Sequence, residues 1–513
     1  MRSSARGLLI CLVAVGGCSA AYSPREVAHR VLLRCRRADA FADRALHAEL
    51  EKADNLSDSE RGLATELTYG VMRTASALDY QLARLTSKTF AEKTHPATLC
   101  AMRIGAYELL HLSTPDYAAV DEAVSLLGPQ ERGRRSFANG VLRNLARQRD
   151  ELPLPSDDAS LTPIEALAID TSTPEWLLKE LSSGESAEGA PPLLGDFDEL
   201  AAWAWASQEQ PALALRVNRR RATRDLVLTQ LQAAGLTANK VPGLDDTLLL
   251  DAGGGSVVTL PGFKEGYWSV QDVGAQLIAL LATPPAGFPP GSTVLDLCAA
   301  PGGKATHLGE LLADGEAASD GEERARASKS CVHAVDVHKR KATLVRNACT
   351  RLGLSPTVKV HVADATSPTD LATILETAGC EGGADAVVLD APCSGSGTLR
   401  RNPEHRYRAA DPASYKELCT LQAKLLDSAS ACVRVGGTLT YSVCSPTLAE
   451  TDECIAAFLK RSPNFELVPA AENEVLTQFV ADSPLLGEGA CVRTWTHRHP
   501  ADSHFAALLR RRE

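Results

Sequence analysis

The sequence predicts an α/β protein in which a doubly wound parallel sheet follows an all-α bundle and a small mixed α/β subdomain. Three observations carry this expectation. From about Gly266 short apolar runs recur at strand length (Val294 to Leu297, Val332 to Val335, Val358 to Val362, Ala386 to Leu389, Thr438 to Tyr441), with helix-like stretches between them. From Ser23 to about Asp150 the apolar residues keep helical spacing instead. Between these regions, Leu152 to Pro163 is rich in Pro and Asp and reads as a linker.

Residues 1–22 read as a targeting leader. Arg2 and Arg6 precede an apolar run from Leu8 to Val15, and small residues follow through Ala21. The run is too short to span a bilayer comfortably and has the shape of a signal segment. Passage through the secretory route favours a plastid over a mitochondrion as the destination; without a working leader the chain would be cytoplasmic. A faint lipoprotein-like signature ending at Cys18 is a weaker reading.

Residues 23–150 read as a helical bundle. Ser23-Pro24-Arg25-Glu26 is a capping box with proline at the first helical position, and Ser57 to Glu60 repeats the box. Val27 and Val31, then Leu63, Leu67 and Val71, form the apolar stripes, and further helices are expected over Ala97 to Leu112, Ala118 to Leu127 and Ser136 to Arg147. Residues 151–265 read as linker and small subdomain. A helix begins near Pro174, Ser182 to Gly195 looks like a loose loop, a strand lies near Leu213, and Thr223 to Ala234 is helical. Residues 266–513 hold the large sheet, with the low-complexity Ala313 to Lys329 bulging from its first crossover.

Composition excludes little. A chain of 513 residues exceeds one ordinary core, and 44% hydrophobic with 23% charged residues is globular. The net charge of −11 disfavours a nucleic-acid partner only on average, because Arg216, Arg219, Arg220, Arg221 and Arg224 form one basic cluster and Arg400, Arg401, Arg406 and Arg408 another. The 14 cysteines contain no C-x-x-C pair, which removes zinc-ribbon and thioredoxin readings and fits a reducing compartment; no metal site is expected.

After the first strand of the large sheet comes Cys298-Ala299-Ala300-Pro301-Gly302-Gly303-Lys304, opening a helix. A glycine pair there lets backbone N–H groups approach a ligand beside a helix N-terminus. Ala305 after the lysine excludes a magnesium-binding P-loop, and G-x-G-x-x-G is absent. Later strands end in Asp336, Asp364 and Asp390. Acids in those places suit the ribose and adenine of an adenosyl ligand; the bland alternative is that each caps the next helix.

Cys393 follows the fourth strand and Cys444 the fifth, so both thiols lie at the ligand face of one sheet. Cytosine carbon 5 is a poor nucleophile, but a thiolate adding to carbon 6 makes it an enamine able to accept a methyl group. Two thiols, one acid and one lysine supply the parts for that chemistry. Cys298, inside the glycine loop, reads as backbone packing, and Cys35, Cys100, Cys331, Cys349, Cys380, Cys419, Cys432, Cys454 and Cys491 read as small buried hydrophobes.

From Gln271-Asp272 through Ser445 the chain resembles the RsmB-type (Sun family) RNA cytosine-5 methyltransferases. The Cys-Ala-Ala-Pro-Gly-Gly-Lys loop, Asp390-Ala391-Pro392-Cys393-Ser394-Gly395, Arg400-Arg401-Asn402-Pro403-Glu404 and the Cys444 motif carry the resemblance. Upstream, Leu215-Arg216-Val217-Asn218 with Thr223-Arg224 resembles that family's small RNA-binding subdomain, and Tyr117 to Val124 with Phe137 to Arg143 resembles a NusB-like RNA-binding domain. The resemblance implies a Rossmann-like methyltransferase sheet using S-adenosyl-L-methionine, held by Cys298, Ala299, Ala300, Pro301, Gly302, Gly303, Lys304, Asp336, Asp364 and Asp390. It implies Cys444 as nucleophile and Cys393 in release of the methylated base, with Lys304 and Asp390 beside the cytosine. DNA cytosine methyltransferases use the Pro-Cys cysteine as nucleophile, so the paired cysteines imply RNA.

The NusB-like region points to small-subunit ribosomal RNA, with a transfer RNA methyltransferase and a non-catalytic assembly factor as the alternatives. The mature chain is expected to be a monomer with no membrane association. Two places depart from the family pattern: Val443 stands where Thr usually precedes the nucleophile, and Ala501 to Phe505 replaces Asp-Gly-Phe-Phe.

Overall fold

The computed structural model of the chain describes residues 22–38, 40–183, 189–251, 256–317, 330–408 and 412–513. The leader reading therefore lies outside the described residues except for Tyr22, as do the middle of the 182–195 loop and most of the 313–329 insertion.

The N-terminal region folds into helices α1 (Pro24–Ala38), α2 (Ala42–Leu50), α3 (Asp58–Arg73), α4 (Ala75–Arg84), α5 (Phe90–Lys93), α6 (Pro96–His111), α7 (Asp116–Ser125) and α8 (Arg132–Gln148). Both expected capping boxes form: Ser23 and Ser57 each exchange bonds with the glutamate three residues on. The bundle is organised around α6, which is buried almost all round, so its sequence lacks a polar face. Gly70 explains how α3 reaches it, since a Cβ there would sit 2.2 Å from the Tyr107 ring.

Three helices follow: α9 (Pro163–Asp170), α10 (Glu175–Ser183) and α11 (Phe197–Ala206). The described end of the expected loose loop is in fact packed. Leu194 is fully buried, and its N–H donates to the Leu181 carbonyl at 2.9 Å. An apolar residue at the end of a polar run anchors it.

Strands β1 (Leu213–Val217), β2 (Ala238–Lys240), β3 (Thr247–Leu250) and β4 (Trp268–Val270) make an antiparallel sheet in the order β2-β3-β1-β4, with α12 (Arg224–Ala233) packed on it. The sequence pattern places residues from 266 in the large sheet. Instead β4 pairs with β1, Val217 opposite Trp268, so the small sheet extends past 265. Trp268, fully buried in that sheet's core, holds it there.

Next come α13 (Val273–Ala282), β5 (Thr293–Leu297), α14 (Gly303–Ala317), β6 (Cys331–Asp336), β7 (Val358–Val362), β8 (Ala384–Asp390), β9 (Val433–Val443), β10 (Phe465–Val468), β11 (Val480–Ser483), β12 (Gly487–Arg493) and β13 (Phe505–Arg511). The large sheet runs β11-β12-β13-β9-β8-β5-β6-β7, with β10 also on β13. From β7 to β9 it is parallel, and β10 to β13 are antiparallel additions. This is the doubly wound sheet the strand pattern implied. Because α14 continues through Ala317, the start of the expected insertion is helical.

Register decides where the site lies. Leu297 is level with Val335 on one side and Leu389 on the other, and Asp390 is level with Ser442. The loops after β5, β6, β8 and β9 therefore open at one edge, and β5 flanked by β6 and β8 is the switch point where such sheets bind ligands. The Ala501 to Phe505 departure is accommodated, since β13 pairs with β9 from Phe505 onward. Among the described residues no helix is long and apolar enough to cross a membrane.

Candidate active site

The loop after β5 is built for close approach. Cys298 takes a left-handed backbone (φ 65), and the Ala299 N–H donates to Val335 at the end of β6 (2.9 Å), folding the loop over the sheet edge. At Gly302 (φ 109) a Cβ would come within 3.1 Å of the Val345 backbone, so only glycine brings α14 to its start. Cys298, Ala299, Ala300, Pro301, Gly303 and Lys304 line a cavity of about 180 Å³ together with Asp390; Gly302 shapes the turn behind it.

One cavity residue escaped the sequence reading. Asp296 on β5 is fully buried, and neither carboxylate oxygen has a hydrogen-bond partner. Burial, opposed by Lys304 and reinforced by Asp390 and Asp336, pushes its pKa up to about 8. A buried acid left without a partner beside a cavity is unusual for a structural role and is a candidate ligand contact. An acid within an otherwise apolar strand was the available signal.

Asp336 and Asp364 stand at the ends of β6 and β7, outside the lining of that cavity. Asp336 is buried and accepts from the His338 N–H at 2.8 Å. Asp364 is exposed and accepts from both the N–H and the hydroxyl of Thr366. Those bonds hold its carboxyl below the usual range. Both acids thus close local turns while standing at the ligand edge.

The lysine, the acid and the two thiols converge beside the loop. Lys304 Nζ donates to Asp390 Oδ2 at 2.7 Å, and the Ser442 hydroxyl donates to Oδ1 at 2.9 Å. Burial drives Lys304 down, but the Asp390 carboxylate outweighs it and holds the ammonium above its ordinary range. Cys393 and Cys444, 51 residues apart, bring their sulfurs to 3.3 Å. The hydrogen bond to Cys444, then burial, pushes the Cys393 thiol well above its usual range. Two further hydrogen bonds stitch the loops: Gly397 N–H donates to the Cys444 carbonyl at 3.0 Å, and Ser503 N–H to the Gly397 carbonyl at 2.9 Å. A Cβ at Gly397 would lie 2.0 Å from the Ser503 oxygen, so the residue is fixed as glycine.

Val443 is fully buried in the apolar cluster of Tyr441 and Phe505, and faces Phe505 across the β9–β13 pair. The residue that departs from the family pattern thus serves the core.

Several members of the two basic clusters are spent on internal contacts rather than presented at the surface. Arg216 is 1% exposed, ion-pairs with Glu310 at 2.9 Å and donates to the Gly303 carbonyl at 2.8 Å, pinning the small sheet to α14. Arg400 and Arg401 bind Asp502, Arg401 also binds Asp272, and buried Arg406 donates to the Ser172 and Ser207 carbonyls. Arg224 donates to the Leu244 carbonyl at 3.0 Å. Their acceptors come from distant segments, which a local arginine count cannot see. Arg219, Arg220 and Arg221 remain on the surface, with Arg219 paired to Asp246 and Arg221 bonded to the Glu265 and Arg351 carbonyls. Among the described residues no cluster of His, Cys, Asp or Glu has the makings of a metal site.

Comparison with known proteins agrees with this architecture. Residues 288–510 match the family described as 16S rRNA methyltransferase RsmB/F, residues 22–147 the NusB family, and residues 196–256 an RsmF/B-like ferredoxin-like domain. A probable ribosomal RNA small subunit methyltransferase B from Bacillus subtilis (strain 168) is 32% identical over 96% of this chain and 99% of its own length. The ribosomal RNA small subunit methyltransferase B of Citrobacter koseri is 34% identical over 80% of this chain and 85% of its own. The crystal structure of PH0851 superposes with a TM-score of 0.72 at 25% identity, covering 96% of this chain and 99% of that one. On this footing the chain belongs to the RsmB/F family of methyltransferases, with a NusB domain ahead of the catalytic sheet.

Proposed function

We propose that the chain is an S-adenosyl-L-methionine-dependent RNA methyltransferase that forms 5-methylcytosine in small-subunit ribosomal RNA through a covalent bond from Cys444 to the base. The observation that carries this reading is the approach of two thiols, 3.3 Å apart, beside the Lys304–Asp390 pair. The names of the relatives support ribosomal RNA as the substrate class.

The residues present fit the cofactor. Partnerless Asp296 suits a group of positive charge, and the glycine turn at the start of α14 leaves room for close approach. Cys298 through Lys304, with Asp336, Asp364 and Asp390, would hold S-adenosyl-L-methionine, which supplies an electrophilic methyl group when bound.

The chain's own groups do the rest. The Cys444 thiolate adds to carbon 6 of a cytosine drawn out of its stack, forming the S–C6 bond and shifting the C5–C6 electron pair onto carbon 5. A proton held between Lys304 and Asp390, which Ser442 also orients, would be shared with the ring nitrogen and so offset the negative charge that develops on the ring. After carbon 5 has gained its methyl group, a base removes the carbon-5 proton, the double bond re-forms and the S–C6 bond breaks. Cys393, held as a thiol against Cys444, assists this release.

Incubation with total RNA and labelled cofactor, followed by bisulfite mapping, tests the reading. Modification confined to small-subunit RNA is the expected result. A transfer RNA position would move the substrate class, and no modification at all would make the chain a non-catalytic assembly factor. We also propose that residues 1–22 direct the protein to an organelle, a plastid in preference to a mitochondrion. A reporter fused to the first forty residues that stays in the cytosol would contradict this.

A further inference from the structure

The loops carrying Cys393 and Cys444 meet on a single buried carboxylate that the reaction scheme above does not use. Glu450 is fully buried. Its Oε1 accepts from the Ser394 N–H at 2.8 Å and from Gln422 Nε2 at 2.9 Å; its Oε2 accepts from the Ser394 hydroxyl at 2.6 Å and the Thr447 hydroxyl at 3.2 Å. Ser394 directly follows Cys393. Gln422 also donates to the carbonyl of Pro392, which directly precedes it, at 2.9 Å.

The Cys444 side is tied to the same group. Ser445, directly after Cys444, lies with its hydroxyl 3.0 Å from that of Thr447 and 3.1 Å from that of Ser396. The Tyr441 hydroxyl donates to the Glu450 carbonyl at 2.8 Å, fixing the carboxylate's own backbone to β9 just before Cys444. Both neighbours of Cys393, and the residue following Cys444, are thus referred to one anchor.

We infer that Glu450 is a positioning residue that sets the spacing of the two thiols, and so governs how efficiently the Cys444–base bond is resolved. The inference rests on the proposed covalent mechanism. Ser394, Gln422 and Thr447, which donate to this buried carboxyl group, are all neutral, a costly way to brace a loop unless the brace has a further use. Glu450 holds the residue directly after Cys393 and reaches the residue directly after Cys444 through Thr447, which is where that cost has a chemical use. The charge also acts on Cys393: beyond the Cys444 hydrogen bond and burial, Glu450 further opposes loss of the thiol proton.

The test uses the full chain as wild type, Glu450→Ala, Glu450→Gln and Cys393→Ala. Affinity for S-adenosyl-L-methionine, methylation turnover and the fraction of protein covalently bound to substrate RNA are measured for each. In Glu450→Ala, turnover should fall about 100-fold, the loss typical of a reacting group displaced by about an ångström. Cofactor affinity should stay within about threefold, and the RNA adduct should accumulate toward the Cys393→Ala level. Glu450→Gln keeps one acceptor and can reverse its hydroxyl bonds, so it should recover about tenfold of that loss. With the charge beside Cys393 gone, its alkaline pH limb should move to lower pH. Unchanged turnover in Glu450→Ala, or a loss that merely follows cofactor affinity without added adduct, would overturn the inference. If Glu450→Ala does not fold, the Glu450→Gln profile decides, and an unshifted limb overturns it. If Cys393→Ala itself traps no adduct, the proposed function fails and this inference with it; if only Cys393→Ala traps one, this inference alone fails.

Discussion

Asp502 and Asp296 are the same side chain buried to the same degree, yet the protein treats them in opposite ways. Asp502 is 1% exposed and accepts from Arg400 Nε at 2.6 Å and Arg401 Nε at 2.8 Å. Burial pushes its pKa up, but the two guanidiniums outweigh it and hold the carboxyl below the usual range. Asp296 is 0% exposed with no partner on either oxygen, and burial drives it to about 8. Asp502 fastens the segment after the Cys393 loop to the turn before β13 and is architecture. Asp296 is left without a hydrogen-bond partner at the cavity, with Lys304 only partly offsetting its burial.

Removing each acid should separate these roles. Asp502→Ala strands the Arg400 guanidinium and leaves Arg401 with Asp272 alone, and should cost about 3 kcal/mol of stability, read as a shift in the urea midpoint. A cost below about 1 kcal/mol would put this cluster in the class of exposed pairs. Because its folded-state pKa is depressed, the stabilisation from Asp502 is present at neutral pH and fades as acid protonates it.

Asp296 has the opposite sign. Between its unfolded value of 3.8 and its folded value of about 8, the native state holds a proton that the unfolded chain has given up. Stability should therefore fall as pH rises through that window, by up to about 1.4 kcal/mol per pH unit. Asp296→Asn should flatten this slope and weaken cofactor binding without destabilising the fold at pH 8. An unaltered slope of melting temperature against pH would remove Asp296 from the account.

The surface arginines should give a smaller effect. Reversing Arg219 and Arg220 to Glu should weaken RNA binding and lower the salt slope by about one for each phosphate that is no longer neutralised. An unchanged slope would place RNA elsewhere. Smallest of all, Val443→Thr should cost about 1 kcal/mol by burying a hydroxyl in the core, with no gain in turnover. A faster enzyme would show that the thiol lacks that hydroxyl.

What the sequence made legible had local form. The glycine loop at 298–304, the capping boxes at Ser23 and Ser57 and the two thiols each declare themselves within a few residues, and the parallel strands follow from their apolar runs. What it hid depends on distant partners. Arg216 meets Glu310, Arg400 meets Asp502, and Glu450 gathers Ser394, Gln422 and Thr447, so none of these roles can be read from neighbouring letters. Asp296 and Glu450 escape notice for related reasons. One sits within a strand pattern and the other precedes a helix, places where an acid ordinarily needs no further explanation.

The central claim is the order of roles between the two thiols, and trapping the RNA adduct tests it most directly. With substrate RNA and cofactor, Cys393→Ala should accumulate a covalent protein–RNA band on a denaturing gel, and Cys444→Ala should form none and lose turnover by on the order of 10⁴-fold or more. A band that persists in Cys444→Ala and vanishes in Cys393→Ala would contradict the account.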